Sequence, residues 1–322
     1  MTTATVAFLA VMTPERKSRL DKLLPPGYRM TTLASPSLAD QKALVADADY
    51  IITGGAYPIT AELLDAAPKV KLVHKWGVGL DDMDTAAAKA RGVRIARTTG
   101  SNAVVVAEFA IALMLAVGRT VPQGHIGMQA GRWLKGELSP TTFMLWRKTI
   151  GIVGLGNIGR ALAERLQGFD VTLLYNSRTR QPEQEARLKL GHRAIPELLA
   201  EVDILALTCP LTPETRDLIN AAALKRMKKT AVLINVARGG VVNESDLADA
   251  LEAGTIAAAG LDVFAQEPPP ADLRLLHMPN VVVTPHLAGA CGDNAPNEMA
   301  HMFRNIEHVA KGEEIPERDR VV

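Results

Sequence analysis

Three ionisable side chains mark where this chain could do chemistry: Arg238 after TAVLINVA, Glu267 in GLDVFAQEP and His286 in VVVTPHLAGA. Each follows an apolar run of the kind that forms a buried strand, so each stands just past a strand's C-terminal end, where open α/β sheets bind ligands. A guanidinium binds anions, a carboxylate orients and charges an imidazole, and an imidazole moves protons near neutral pH. Singly, each has a plainer reading: Arg238 as a surface or ion-paired cation, Glu267 before proline as a solvated loop residue, His286 as structural. Three convergent placements on one sheet edge favour a shared site.

GIVGLGNIGRALAERL supplies a second signal. Gly154, Gly156 and Gly159 form G-x-G-x-x-G between an apolar strand and a helix, where they allow a tight turn, close approach to a pyrophosphate and close helix packing. The alternative is a Gly-rich turn that binds nothing. The next strand ends YNSRTR (175–180), where an NAD site would place a carboxylate for the ribose 2′-hydroxyl. Asn176, Ser177, Arg178, Thr179 and Arg180 stand there instead. A carboxylate would repel a 2′-phosphate, whereas an arginine fork and hydroxyls would bind it, so NADP(H) is favoured over NAD(H). A solvated basic loop over an NAD(H) site is the alternative.

In order and spacing, GIVGLGNIGR, LTCPLTPETRDLIN, INVARGGVVNESDLADAL, GLDVFAQEP and TPHLAGA resemble the motifs of the D-isomer-specific 2-hydroxyacid dehydrogenase family, across essentially the whole chain. The resemblance implies a catalytic Arg238, Glu267 and His286, with Asp262 a partner of the nicotinamide end and Asn157, Ile158, Cys209, Pro210 and Ala237 further cofactor contacts. Reduction of a 2-keto acid needs a hydride at C2 and a proton on the developing alkoxide. His286 is then the proton donor, Glu267 favours its protonated, oriented form, and Arg238 binds substrate carboxylate and keto oxygen. HKWGVGLDDMD (74–84) is similar to the family's substrate loop, which implies main-chain N–H groups of Val78 and Gly79 on the substrate carboxylate, with Lys75 and Trp76 reading the C3 substituent. Simple packing is an equal explanation for Trp76. Three departures touch loop geometry and substrate identity: Asp82 where Asn is common, Arg147 for the usual glycine before Lys148, and LAGAC after the histidine.

Positioning these residues requires parallel sheets. VAFLAVM, ADYIIT, KLVHKWGVG and VRIA alternate with helical segments, including Thr60 to Ala67 and Asp84 to Ala90. A helix from about Asn102 to Gly118, capped by Asn102, closes that region. A second alternation from KTIGIVGLG to NVVVTP contains about six strands, enough for a dinucleotide-binding sheet. The Gly-rich residues 123–146 read as a connecting excursion, and the segment after His286 as one helix, no strand, and nothing beyond. The expected fold is α/β: a Rossmann domain over 100–288, and a discontinuous flavodoxin-like substrate domain over 1–99 completed by 289–322.

With 48% hydrophobic and 22% charged residues and a net charge of +1, the composition of this 322-residue chain fits a globular protein, with no nucleic-acid or membrane partner expected. Cys209 and Cys291 lack disulfide or metal-ligand spacing, so no metal site is expected and a cytoplasmic location fits. The implied function is NADPH-dependent reduction of small 2-keto acids, glyoxylate or hydroxypyruvate foremost, by a homodimer joined through the nucleotide-binding domain. An NAD-dependent D-2-hydroxyacid or phosphoglycerate dehydrogenase is the nearer alternative. A nucleotide-sensing, corepressor-like binding protein is the one from another class.

Overall fold

A computed structural model describes residues 3–322. The chain divides into two compact units, one running to Asn102 and resuming from Cys291 to Val322, the other covering Ala103–Ala290.

The first unit is built on five parallel strands, β1 (Ala4–Val11), β2 (Tyr28–Leu33), β3 (Tyr50–Thr53), β4 (Leu72–Lys75) and β5 (Arg94–Arg97), in the flavodoxin-like order β2-β1-β3-β4-β5. Four helices connect them: α1 (Pro14–Asp21), α2 (Leu38–Val45), α3 (Ala61–Asp65) and α4 (Thr85–Ala90). Thr13, Ser37, Thr60 and Asp84 cap them by accepting a first-turn backbone N–H. Each cap is worth about 1 kcal/mol and fixes where its helix begins.

The second unit opens with α5 (Ala103–Gly118), α6 (Val121–Gln129) and α7 (Lys135–Leu138). Its seven parallel strands are β6 (Thr149–Val153), β7 (Thr172–Asn176), β8 (Leu190–His192), β9 (Ile204–Leu207), β10 (Val232–Asn235), β11 (Ala258–Leu261) and β12 (Val281–Val283). Their order, β12-β11-β10-β9-β6-β7-β8, is the Rossmann order extended by one strand, and it reverses beside β6, where such sheets bind ligands. The connecting helices are α8 (Asn157–Leu166), α9 (Pro182–Leu188), α10 (Ile195–Glu201), α11 (Ala221–Leu224) and α12 (Glu244–Glu252). Both sheet faces are dry: Leu205, Leu207 and Leu233 fill one core, while Ile150, Ile152 and Ile234 fill the other beneath Ala107, Ala110 and Met114 of α5. Among the described residues no single helix is long and apolar enough to cross a membrane.

The chain then returns to the first unit as α13 (Ala295–Ala310), whose Met299, Met302, Phe303 and Ile306 pack with Val6, Phe8, Ile52 and Leu72. Beyond it, where no further strand was expected, residues 313–322 lie against β5: Ala96 and Arg320 form an isolated antiparallel bridge and Arg97 N–H donates to Asp319 O at 3.0 Å. Too polar to read as a strand, this tail is held by backbone hydrogen bonds.

Three other expectations are corrected. The second sheet has seven strands because Leu190–His192 pairs with β7, although three residues with a central glycine carry no readable alternation. Residues 123–146 hold most of α6 and all of α7 rather than a plain excursion. Asn102 does not cap α5 through its side-chain oxygen, which is buried without a hydrogen-bond partner.

Candidate active site

β10 delivers Arg238. The Asn235 side chain, almost wholly buried, accepts from Ala237 N–H and donates to Arg238 O, both at 3.0 Å, fixing the bend between strand and arginine. Arg238 is half-buried in extended conformation, with Nη1 donating to Ala237 O at 2.7 Å. Gly239 is required by contact: a Cβ there would run into the backbone of Phe264 and Ala265. The glycine after the arginine thus lets the loop bearing Glu267 close against the loop bearing Arg238.

Glu267 and His286 meet. Glu267 Oε2 lies 2.6 Å from His286 Nδ1, and Oε1 accepts from Phe264 N–H at 3.0 Å. Burial pushes the Glu267 carboxyl up, but the bonds from His286 and Phe264 and the charges of His286 and Arg238 outweigh it and hold it below its ordinary value. The adjacent Ala265 N–H donates to Glu244 Oε1 at 2.6 Å, tying this loop to the start of α12. His286 adopts a left-handed φ of 51°, and its N–H donates to Asp262 O at 2.8 Å.

Asp262, which the resemblance implies as a partner of the nicotinamide end, is bonded to the loop that carries His286. It has no exposed surface; Oδ1 accepts from Thr284 Oγ1 and Leu287 N–H at 2.6 and 2.8 Å, and Oδ2 from Ala288 N–H at 2.8 Å. A buried carboxylate must be matched with donors, and here they come from the loop that carries His286. Asp262 thus holds the loop on both sides of His286.

The glycine turn fits a dinucleotide. Gly154 has φ 97° and a Cβ there would lie 2.8 Å from the Cys209 backbone; a Cβ on Gly159 would strike Gly154 O. At Gly156, the N-cap of α8, a Cβ would meet nothing within 4 Å, leaving the helix N-terminus open to an anion beside exposed Asn157 and half-buried Ile158. Thr208, absent from the sequence reading, donates to Gly154 O at 2.6 Å; only the fold brings it to the turn. Burial pushes the Cys209 thiol up to about 11, leaving it an unreactive wall. Exposed Pro210 follows it, and Ala237 is buried before Arg238.

In the ribose loop, Asn176 Nδ2 donates to Arg193 O at 2.8 Å and Ser177 Oγ to Thr179 O at 2.7 Å. Arg178 and Thr179 are exposed. Arg180 pairs with Glu185 through two bonds of 2.8 Å.

The proposed substrate loop belongs to the first unit. Lys75, 6% exposed, bonds both oxygens of Asp82 at 2.6 and 2.7 Å, so the aspartate that departs from the family pattern supplies the counter-charge for a buried lysine. Trp76 stacks on Phe8 at 5.4 Å, and its Nε1 donates to the buried Glu298 at 2.6 Å. Gly77 N–H donates to Thr98 Oγ1 at 2.8 Å, anchoring the half-buried turn at Val78 and Gly79. Glu298 and Thr98 were missed because their partners lie 222 and 21 residues away.

Residues 111–288 match the family model for the D-isomer specific 2-hydroxyacid dehydrogenase NAD binding domain. The chain is 40% identical over 275 residues to a glyoxylate reductase of Pyrococcus horikoshii, covering 84% of this chain and 82% of that one. It is 38% identical over 275 residues to a D-3-phosphoglycerate dehydrogenase of Mycobacterium tuberculosis, covering 85% of this chain and spanning about half (52%) of that longer relative. The structure of an NADPH-dependent glyoxylate/hydroxypyruvate reductase from Sinorhizobium meliloti, in complex with NADP and malonate, is similar with a TM-score of 0.84 and 31% identity over 100% of this chain and 97% of that one. With its glycine turn, its Rossmann strand order and these relatives, the chain belongs to the D-isomer specific 2-hydroxyacid dehydrogenases, a family of oxidoreductases.

Proposed function

We propose that this protein reduces small 2-keto acids, with glyoxylate and hydroxypyruvate foremost, to D-2-hydroxy acids using NADPH. The observation that carries the reading is the 2.6 Å contact between His286 and Glu267. Glu267 engages Nδ1, which leaves Nε2, on an exposed ring, to give a proton to a substrate oxygen. Glu267, held ionised by its neighbours, fixes the orientation of the ring for that transfer. Arg238 supplies a fixed cation for the substrate carboxylate and for charge developing on the keto oxygen, and Asn235 sets its direction.

Gly154, Gly156, Gly159 and the N-terminus of α8 would hold the dinucleotide pyrophosphate, with Asn157 and Ile158 beside it and Cys209, Pro210 and Ala237 walling the cofactor. The bound nicotinamide would supply the hydride. Arg178 and Thr179, exposed after β7, supply donors for a 2′-phosphate, which supports NADP(H). Val78 and Gly79 would offer N–H groups to the substrate carboxylate. Lys75 and Trp76 would shape the substituent's surroundings from their fixed positions beside Asp82 and Glu298.

A homodimer joined through the second unit is part of the proposal, supported by exposed apolar residues on α6. Both cysteines are free thiols, which supports a cytoplasmic location. The mycobacterial relative favours, as a second reading, NAD-dependent oxidation of a phosphorylated 2-hydroxy acid. The test follows the absorbance of the reduced nucleotide across a panel of 2-keto acids with NADPH and of 2-hydroxy acids, 3-phosphoglycerate included, with NAD. We expect glyoxylate or hydroxypyruvate to turn over best, and His286→Ala to lower kcat by roughly 10²–10⁴-fold. Undiminished turnover in that variant would remove His286 as proton donor, and 3-phosphoglycerate as best substrate would establish the second reading.

A further inference from the structure

We propose that Glu185 tempers this site's preference for a 2′-phosphate by withholding Arg180 from it, so that the chain can still use a nucleotide lacking that phosphate. The inference rests on the NADP(H) reading above and adds a residue that sets how strong the preference is. The loop after β7 carries two exposed arginines, Arg178 and Arg180. They are not equivalent. Arg180 donates from Nε and Nη2 to the two oxygens of Glu185, both at 2.8 Å, in the planar fork geometry that would otherwise suit a phosphate.

The clamp is held from below. Glu185 is only 14% exposed against 66% for Arg180, so the carboxylate is the fixed partner and the guanidinium the adaptable one. Tyr175, a fully buried residue of β7, donates its hydroxyl to Glu185 Oε1 at 2.6 Å and accepts from Gln181 N–H at 2.9 Å. Gln181 Nε2 in turn donates to Leu155 O at 2.9 Å, inside the glycine turn. One chain of bonds therefore joins the pyrophosphate turn, the ribose loop and Glu185. The bonds from Arg180 and Tyr175 hold the Glu185 carboxyl at about 2, so it is a full negative charge at any working pH. That charge keeps Arg180 occupied, so the pair presents no free cation to a phosphate dianion brought to the same loop. A nucleotide without the phosphate loses nothing by it.

The test uses the full-length enzyme, with dissociation constants for NADPH and NADH measured from nucleotide fluorescence. Glu185→Gln keeps the shape and an acceptor for Tyr175 but removes the charge. We expect the NADH-to-NADPH ratio of dissociation constants to rise roughly fivefold to tenfold, the modest end for a partly exposed guanidinium. In Glu185→Gln/Arg180→Ala the ratio should return to the wild-type value. Equal weakening of both nucleotides by Glu185→Gln would mean that Glu185 only braces the loop, and would overturn the proposal. So would a raised ratio that persists in the double variant, since the gain would then owe nothing to Arg180. Arg178→Ala, run alongside, separates the two claims: an unchanged ratio there overturns the NADP(H) reading itself, whatever Glu185→Gln does.

Discussion

Arg147 stands at φ 61°, a left-handed conformation that glycine adopts freely and a branched backbone position resists. Its guanidinium lies 4.0 Å from the centre of the Trp146 ring, a cation–π contact that offsets part of the strain. A left-handed residue costs roughly 1–2 kcal/mol and such a contact returns about 0.5–1 at an exposed site, so Arg147→Gly should stabilise the protein by up to about 1.5 kcal/mol. A rise in Tm by calorimetry would bear this out, and a fall would show that the contact outweighs the backbone. His286 is also left-handed, at φ 51°, but there Asp262 grips the loop from both sides, so the strain is held by bonds that also aim the imidazole. The residue types at the site were legible as sequence because strand ends, glycines and charges are local signals. The grip on them was not: Asn235 and Thr208 look like ordinary strand-end residues until their partners are seen.

Among elements, the long parallel strands were legible because burial on both faces writes an unbroken apolar run. β8 escaped because it borrows its regularity from β7, its partner in the sheet. α6 escaped for a related reason: its apolar residues face outward, so it lacks the stripe that marks a helix packed on its own core. Val121, Ile126 and Met128 are 56–58% exposed, and Trp133 beyond them 76%. That density of large apolar surface on one short stretch is what a second copy would cover. Ile126→Glu should therefore turn a dimer into a monomer in sedimentation equilibrium, because a carboxylate at such an interface costs several kcal/mol when unpaired. A wild-type protein that sediments as a monomer would end the dimer proposal.

At the scale of the whole molecule, the first unit is tied together by a buried polar network that spans its sequence. His74 Nε2 lies 3.0 Å from Asn305 Nδ2, Asn305 reaches Asp319 at 3.3 Å, and His301 Nε2 is 2.6 Å from the same carboxylate oxygen, which links β4, α13 and the C-terminal tail. Burial lowers His74 from 6.5 to about 4, against an opposing bond to Lys75 O. Between those values the unfolded chain binds a proton that the folded His74 refuses, so the contribution of His74 to stability is flat above pH 6.5 and falls as pH drops towards 4. The loss is on the order of 3 kcal/mol across that window, and His74→Gln should flatten it in urea titrations at pH 7, 6 and 5. An unchanged slope would move the acid sensitivity elsewhere. By itself the sequence determined the α/β class, the two runs of strands, the glycine turn and the identity of Arg238, Glu267 and His286, because periodicity, turn chemistry and residue type are properties of neighbours along the chain. Only the tertiary structure decided that Asp262 serves His286, that Asp82 answers Lys75, that Glu185 holds Arg180 and that the tail closes on β5. Hydrogen bonds and counter-charges are chosen by distance in space, and spacing along a chain does not record it.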